Sequence, residues 1–356
     1  MMKKVLRISC LLVSIAMFMM VFAGCGGNDD GAAAPPAAAG DGAAAAAAAP
    51  AGGGHFSDVH IVFFPGGNEG CPFASVVFAG ARAAEQDLGV RVDYMWSDWN
   101  PAVMIDQFRS AIAMNPTGIA IMGHPGDDAY AALVAEAKAA GIIVTSQNTD
   151  LPRLQAQWQS EGFGFAGKTM YATGIALGNE AVSRYNLQPG EIAIVWGLLA
   201  QEGRGERTRG VIHALEDHGL TVVYYEISDA VNADAAQGIS VFVGMMAANP
   251  DARLFVADHG ALTSAAYTYM TAAGLAADDL IYVGFDLSRG SVDAINTGFL
   301  NFVIDNQPFL QGYFPILQIA LSATYGFSGL DIDTGASFVD ANNVGPVSAL
   351  VELGIR

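Results

Sequence analysis

Hydrophobic residues along this chain follow two alternating patterns. Short apolar-rich runs occur at Val59–Phe64, Val90–Met95, Gly118–Met122 and Ile142–Thr145, the second of them interrupted by Arg91 and Asp93. Runs of this length without polar alternation predict parallel strands covered on both faces. Between them, apolar residues recur three and four positions apart. Phe73–Leu88 puts Val76, Val77, Gly80, Ala84 and Leu88 on one helical face. Val103–Met114, entered at Asn100-Pro101, and Asp127–Ala140, stopped by Gly141, also predict helices. After a polar bridge over 150–161 the alternation restarts. It predicts helix Met170–Tyr185, strand Glu191–Trp196, helix Arg207–His218, strand Thr221–Tyr225 and helix Ala233–Ala247. Strand Leu254–Ala257, helix Ala261–Ala273, strand Ile281–Phe285 and a short helix Val292–Thr297 follow. From Asn301 onward the pattern gives one more strand, a helix after Pro308 and an extended tail.

The predicted strands begin at intervals of roughly 25–33 residues, the length of a βαβ unit. They fall into two sets on either side of the polar bridge. Right-handed crossovers then make each set a doubly wound sheet. The expected fold is α/β, with two doubly wound parallel-sheet lobes, and the residues after Asn301 return to complete both.

A different pattern precedes this body. Lys3, Lys4 and Arg7 lead into the apolar run Leu11–Phe22, which ends on Ala23-Gly24-Cys25. A basic start, an apolar centre and small residues at the end describe an export signal. Because it ends on Cys25, the segment resembles a bacterial lipoprotein signal, which implies cleavage after residue 24 and a lipid on Cys25. Phe22 stands where that pattern prefers Leu. A membrane-spanning anchor is the competing reading, but no basic stop-transfer flank follows. Residues 25–54 are almost wholly Gly, Ala, Pro, Asn and Asp beyond the cysteine. They offer too little apolar area to offset ordering entropy, so a flexible tether is expected.

Charge narrows the partners. The chain of 356 residues carries 16 Lys and Arg against 35 Asp and Glu. That balance argues against nucleic acid, whose binding depends on neutralising phosphates, and against a peripheral hold on anionic lipid. Three cysteines are present. Cys10 leaves with the leader and Cys25 takes lipid, so Cys71 stands alone and no disulfide framework is expected despite export.

Ligands of doubly wound sheets sit beyond the carboxyl ends of the strands. In the first half those ends are Gly66–Phe73, Trp96-Ser97-Asp98, Gly123-His124-Pro125 and Gln147-Asn148-Thr149-Asp150. In the second they are Gly197–Arg207, Asp258-His259, Asp286-Leu287-Ser288 and Asn306-Gln307. Amides, acids, an arginine and aromatic rings suit a polyhydroxylated ligand: planar polar groups pair with hydroxyls, and rings cover the apolar faces of a sugar. Trp96, Trp196 and His124 are cleft candidates by this position alone.

Six stretches, in order, carry a family resemblance. They are Pro72-Phe73, Pro116-Thr117-Gly118-Ile119, Ala140-Gly141-Ile142-Ile143-Val144, Arg207-Thr208-Arg209-Gly210, Val283-Gly284-Phe285-Asp286 and the run from Asp305 to Tyr313. Over roughly residues 58–350 the chain resembles the type I periplasmic sugar-binding proteins of ABC importers. The resemblance implies a stacking role for Phe73 and ligand contacts from Arg207 and Asp286. Asn148 stands where the family often has Asp, Asp258 where it often has Asn, Asn306 where it has Gln, and Cys71 where it often has Asn. It also implies an N-terminal lobe of residues 55–166 with 307–335, and a C-terminal lobe of 167–306 with 336–356. Three hinge crossovers are implied near 165–168, 304–307 and 336–339.

Rival chemistries are weaker. Gly162–Gly167 fits the GxGxxG fingerprint, but a polar segment precedes it where a nucleotide site needs a strand. Cys71 with His124 or His259 would make a nucleophile and base, without any nucleophile-elbow motif in support. The six histidines lack metal-ligand spacing. The expectation is therefore a monomeric binding protein with no cofactor and no metal, not an enzyme. It would capture a simple sugar or polyol and pass it to a permease whose ATPase is a separate chain. A sensory receptor for a sugar-like signal or nucleoside, and an extracellular glycoside hydrolase, are the alternatives. Repressors of similar fold carry a helix-turn-helix where this chain has its leader.

Overall fold

The computed structural model describes residues 55–335 and 337–356. The leader, the tether and Cys25 lie outside the described residues.

The first half winds as β1 (His60–Gly66), α1 (Pro72–Leu88), β2 (Arg91–Trp96), α2 (Pro101–Ala113), β3 (Gly118–Met122), α3 (Asp127–Ala139), β4 (Ile143–Asn148), α4 (Pro152–Trp158) and β5 (Gly164–Gly167). The second half follows as α5 (Met170–Tyr185), β6 (Ile192–Gly197), α6 (Gly205–Asp217), β7 (Thr221–Glu226), α7 (Asp229–Ala233), α8 (Ile239–Ala248), β8 (Ala252–Ala257), α9 (Gly260–Ser264) and α10 (Ala266–Ala272). It closes with β9 (Ile281–Phe285), α11 (Arg289–Asn296) and β10 (Phe302–Asp305). The chain ends as α12 (Pro308–Tyr325), β11 (Asp331–Asp333), β12 (Ser337–Asp340) and α13 (Val344–Glu352).

These strands form two six-stranded sheets, ordered β11-β5-β4-β3-β1-β2 and β12-β10-β9-β8-β6-β7. Pairing is parallel throughout the first sheet. In the second, only β12 runs antiparallel, against β10. The central strands are buried on both faces, as their unbroken apolar runs require. The chain passes between sheets at three places: from β5 to α5, from β10 to α12, and from β11 to β12. The two halves are thus completed by a shared C-terminal segment.

Each lobe is pinned by a glycine-mediated helix pair. A Cβ on Gly80 of α1 would lie 1.9 Å from the Phe309 carbonyl oxygen, and one on Gly312 of α12 would lie 1.9 Å from that of Val77. In the second lobe a Cβ on Gly174 of α5 would lie 2.1 Å from the Arg207 carbonyl oxygen, and one on Gly210 of α6 would lie 2.2 Å from that of Tyr171. Only backbone without a side chain permits this approach. The second pair fixes the first turn of α6, where Arg207 resides.

Five local readings are corrected. The polar bridge over 150–161 contains α4, because Pro152 opens a helix whose Leu154 is buried. The single helix expected over 233–247 is broken into α7, a 3₁₀ turn and α8, where the Asp234 side chain accepts from the Ala236 amide. The helix expected over 261–273 divides at Ala265 into α9 and α10. The tail read as extended ends in α13, which packs on α11. The third crossover lies between Asp333 and Ser337, ahead of the expected 336–339, because Ser337–Asp340 is already paired with β10.

Candidate functional site

The carboxyl ends of both sheets face a common cleft. Its main cavity, about 390 Å³ of empty space including its mouth, is lined by Phe73, Trp99, His124 and Asn148 from the first lobe. From the second come Leu198, Gln201, Arg204, Arg207, Asn232, His259, Gly260 and Asp286. The cleft is closed: the Trp99 ring meets the His259 ring edge-on at 6.1 Å between centroids. At Gly203 a Cβ would lie 3.0 Å from the carbonyl oxygen of Gly123 in the opposite lobe.

Two strand-end residues turn into the cavity through left-handed backbone, Asn148 with φ 63° and Asp286 with φ 69°. Asp98 and Trp99 adopt the same region. Such conformations are tolerated best by Asn and Asp, and they gather at functional sites. For Trp99 the backbone turn throws the indole back over Gly66 and Gly67. A Cβ on Gly67 would stand 2.8 Å from Trp99 Cε2. The indole then stacks on His124 at 5.4 Å and 23°, with Phe73 tilted beside it at 5.9 Å. This makes an aromatic wall on the first-lobe side. Gly67→Ala is therefore expected to dislodge Trp99 and weaken ligand affinity about tenfold, the size of effect expected for one displaced aromatic contact, while the overpacked methyl costs about 1–3 kcal/mol of stability. Titration calorimetry alongside thermal melting checks it; unchanged affinity would show that Trp99 is not needed.

On the second-lobe side the chemistry is ionic. Arg204 donates to Asp258 Oδ2 at 3.2 Å and to Oδ1 at 3.0 Å, and Arg207 Nε donates to Oδ1 at 2.6 Å. The Thr208 hydroxyl also donates to Asp258 Oδ2. Asp258 is fully buried behind the two arginines and does not line the cavity. Its role here is to hold the guanidiniums in place. Burial alone would raise its carboxyl, but Arg204 and Arg207 outweigh that and hold it below the ordinary value. The Arg207 guanidinium lies 3.9 Å from the Phe285 ring centroid, a cation–π seat that fixes its plane. Asp286 accepts from Asn306 Nδ2 at 3.0 Å. Its carboxyl is raised because burial outweighs the attraction of Arg207.

Two buried acceptors on the cavity wall, Gln201 Oε1 and Asn232 Oδ1, have no hydrogen-bond partner among the described residues. A ligand's hydroxyl protons would satisfy them. His124 and His259 are both lowered to about 3, first by burial and then by the charge of Arg204. The site is thus two guanidiniums, the Asp286 carboxylate, neutral imidazoles and amides facing an aromatic wall, with Asp258 bracing the arginines from behind.

Histidines held neutral in the fold imply a pH dependence. Unfolded, each imidazole takes up a proton below about pH 6.5, whereas folded it does so only near 3. The unfolded state binds more protons in that window, so stability falls as pH drops through it. The slope is up to roughly 1.4 kcal/mol per pH unit for each histidine. Asp286, raised in the fold, works in the opposite sense. Thermal melts from pH 7 to 4.5 should show a shallower slope in a His124→Gln/His259→Gln double variant than in the wild type, a comparison in which Asp286 cancels. Equal slopes would contradict neutral burial.

Of the residues expected at the site, Phe73, His124, Asn148, Arg207 and Asp286 come together around the main cavity. Asn306 lines an adjoining small void with Asn148, Arg207 and Gln311. Cys71 lines the outer part of the cleft beside Asn68, Trp99 and Asn232. Burial pushes its thiol up, which suits packing and not nucleophilic attack. Trp96 is half-buried against Phe78, 5.4 Å away, and faces away from the cavity. Trp196 is fully buried in the second-lobe core with Phe255 and Tyr269, because its side chain falls on the helix-covered face of β6. Neither tryptophan lines the cleft. Gly164–Gly167 of the GxGxxG match is strand β5, leading into the first crossover. Trp99, Arg204, Gln201 and Asn232 were not anticipated. The signal for Arg204 lay in Gly203-Arg204-Gly205, an arginine in a glycine-flanked strand-end loop.

Among the described residues no group of His, Cys, Asp or Glu has the geometry to hold a metal ion, and no helix is long and apolar enough to cross a membrane.

Residues 61–324 match the family model described as a periplasmic binding protein domain. The xylose/arabinose-binding protein XylF of Sulfolobus acidocaldarius is 26% identical over 288 residues, which cover 76% of this chain and 69% of that one. Among solved structures, a carbohydrate transporter from Acidothermus cellulolyticus in complex with myo-inositol superposes with TM-score 0.71 at 24% identity, covering 84% of this chain and 99% of that one. A solute-binding protein from Burkholderia graminis in complex with D-arabinose gives TM-score 0.71 at 20% identity, covering 81% and 97%. The chain belongs to the periplasmic binding protein family.

Proposed function

We propose that this protein is the solute-binding component of an ABC importer and that its ligand is a small ring polyol, a pentopyranose or a cyclitol. The observation that carries the reading is the interlobe cavity, with a Trp99–His124–Phe73 wall on one side and the Arg204–Arg207–Asp258 cluster with Asp286 on the other. Stacked rings cover the apolar face of a sugar ring, and a guanidinium fork and a carboxylate pair with adjacent hydroxyls. The ion cluster balances its own charge, which favours a neutral ligand. The names of the xylose/arabinose-binding and myo-inositol-bound relatives point to the same class.

Around this site, the lobes formed by 55–166 with 307–335 and by 167–306 with 336–356 would close about the three crossovers. The sequence pattern of residues 1–25 supports export and a lipid on Cys25, with residues 26–54 as a spacer that keeps the receptor beside its permease. Titration calorimetry of the purified protein against D-xylose, L-arabinose, D-arabinose, D-ribose, myo-inositol, D-glucose and D-galactose tests the ligand class. Saturable one-to-one binding of a pentose or inositol supports it, and binding of none of them refutes it.

A further inference from the structure

Hydrogen-bond directions at the cleft can be followed from the hinge inward. Gln311, on the first turn of α12 and buried, donates from Nε2 to the Asn306 carbonyl oxygen at 2.8 Å. The same Nε2 reaches the Thr334 hydroxyl oxygen at 3.4 Å, and that hydroxyl donates to the Asn306 carbonyl at 2.9 Å. Asn306 and Thr334 lie on the second and third crossovers. A carbonyl only accepts, so the Gln311 amide has one workable orientation, with Oε1 pointing to Asn148. Asn148 Nδ2 donates to that Oε1 at 3.1 Å, which leaves Asn148 Oδ1 as an acceptor. His124 Nε2 lies 3.0 Å from Asn148 Oδ1 and must therefore carry the proton. Any single flip in this chain sets acceptor against acceptor or donor against donor.

We propose that Gln311 is a positioning residue that selects the His124 tautomer, so that Nδ1 is the ring's hydrogen-bond acceptor at the cavity wall. Gln311 touches neither the ring nor the main cavity. It acts through Asn148, transmitting the fixed direction of a hinge carbonyl to a ligand-facing ring. The low proton affinity of His124 keeps the ring neutral, so the choice between tautomers matters across ordinary pH. An acceptor at His124 requires a hydroxyl proton from the ligand; the other tautomer would require a lone pair. Gln311 therefore helps set which hydroxyl orientation the site takes. The last step rests on the sugar-binding reading above, but the tautomer itself does not.

The test separates the two. In the ligand-free protein, ¹⁵N-histidine spectra should show His124 as the Nε2–H tautomer. Gln311→Leu should convert it to the Nδ1–H form or to a mixture of the two, because Asn148 is then free to turn over. Gln311→Glu keeps an acceptor facing Asn148 Nδ2 and, protonated on its other oxygen in this buried position, still donates to the Asn306 carbonyl, so it should retain the Nε2–H signal. Melting temperatures confirm that both variants are folded. A folded Gln311→Leu protein whose His124 spectrum equals that of the wild type overturns the proposal, whatever ligand the protein binds. Failure of all seven sugars to bind alongside the predicted spectra would overturn the sugar reading alone.

Discussion

Asp258→Asn is expected to lower the stability of the protein by about 3–5 kcal/mol, the cost of removing one partner from a buried ion pair. The magnitude follows from the surroundings. Arg204 and Arg207 are both almost fully buried and both lean on this one carboxylate. Burial and the charge of Arg207 already lower Arg204's hold on its proton. Without Asp258, two guanidiniums would face each other in the interior with no compensating charge between them. Thermal melting should register a drop of roughly 6–15 °C. A change of a degree or less would mean that the pair is solvated and that the cluster contributes no organisation to the cleft.

The second large effect concerns binding. Arg207→Lys is expected to reduce affinity about a hundredfold, in line with the loss of two charge-assisted hydrogen bonds. Lysine keeps the charge, so the change isolates the fork. A compact ammonium cannot bond to Asp258, lie over Phe285 and reach a ligand from one fixed plane. Asp286→Asn keeps a residue that tolerates the left-handed backbone at φ 69° while removing the carboxylate. It should weaken binding to a similar degree. The protein's own Asn306 Nδ2 still finds an amide oxygen there, so the fold is kept. Calorimetric titration with the best ligand of the sugar panel reads both variants. Affinity within threefold of the wild type in either would move the site away from these residues.

The fold was legible because its signals are long-range and redundant. Continuous apolar strands such as Gly118–Met122 and Ile281–Phe285 have few other places to go than the middle of a doubly covered sheet. Local breaks were less visible. Nothing in Ala233–Ala247 announces that Asp234 will cap a new turn, and α4 hides in a polar stretch because only Leu151 and Leu154 need burial. The cavity lining was legible at Asn148, Arg207 and Asp286, where strand ends and polar side chains coincide. It was obscure where the backbone turns. Trp99 is three residues beyond β2, and only the paired left-handed conformations of Asp98 and Trp99 bring its ring into the cavity in place of Trp96. Asp258 illustrates another limit. A sequence can mark a carboxylate at a strand end, but whether it meets the ligand or braces two arginines depends on Arg204, six residues beyond the start of its loop at Leu198.

The central claim is that a neutral ring polyol is held between the lobes by the Arg207–Asp286 side and the Trp99 wall. Its most direct measurement is the crystal structure of the protein soaked or co-crystallised with the pentose or inositol that binds best in calorimetry. The account predicts density for one ring in the main cavity. The ring should lie flat against Trp99, its hydroxyls within hydrogen-bond distance of Arg207, Asp286 and Asn232. A ligand bound outside this cavity, or inside it without contact to Arg207 and Asp286, would contradict the account.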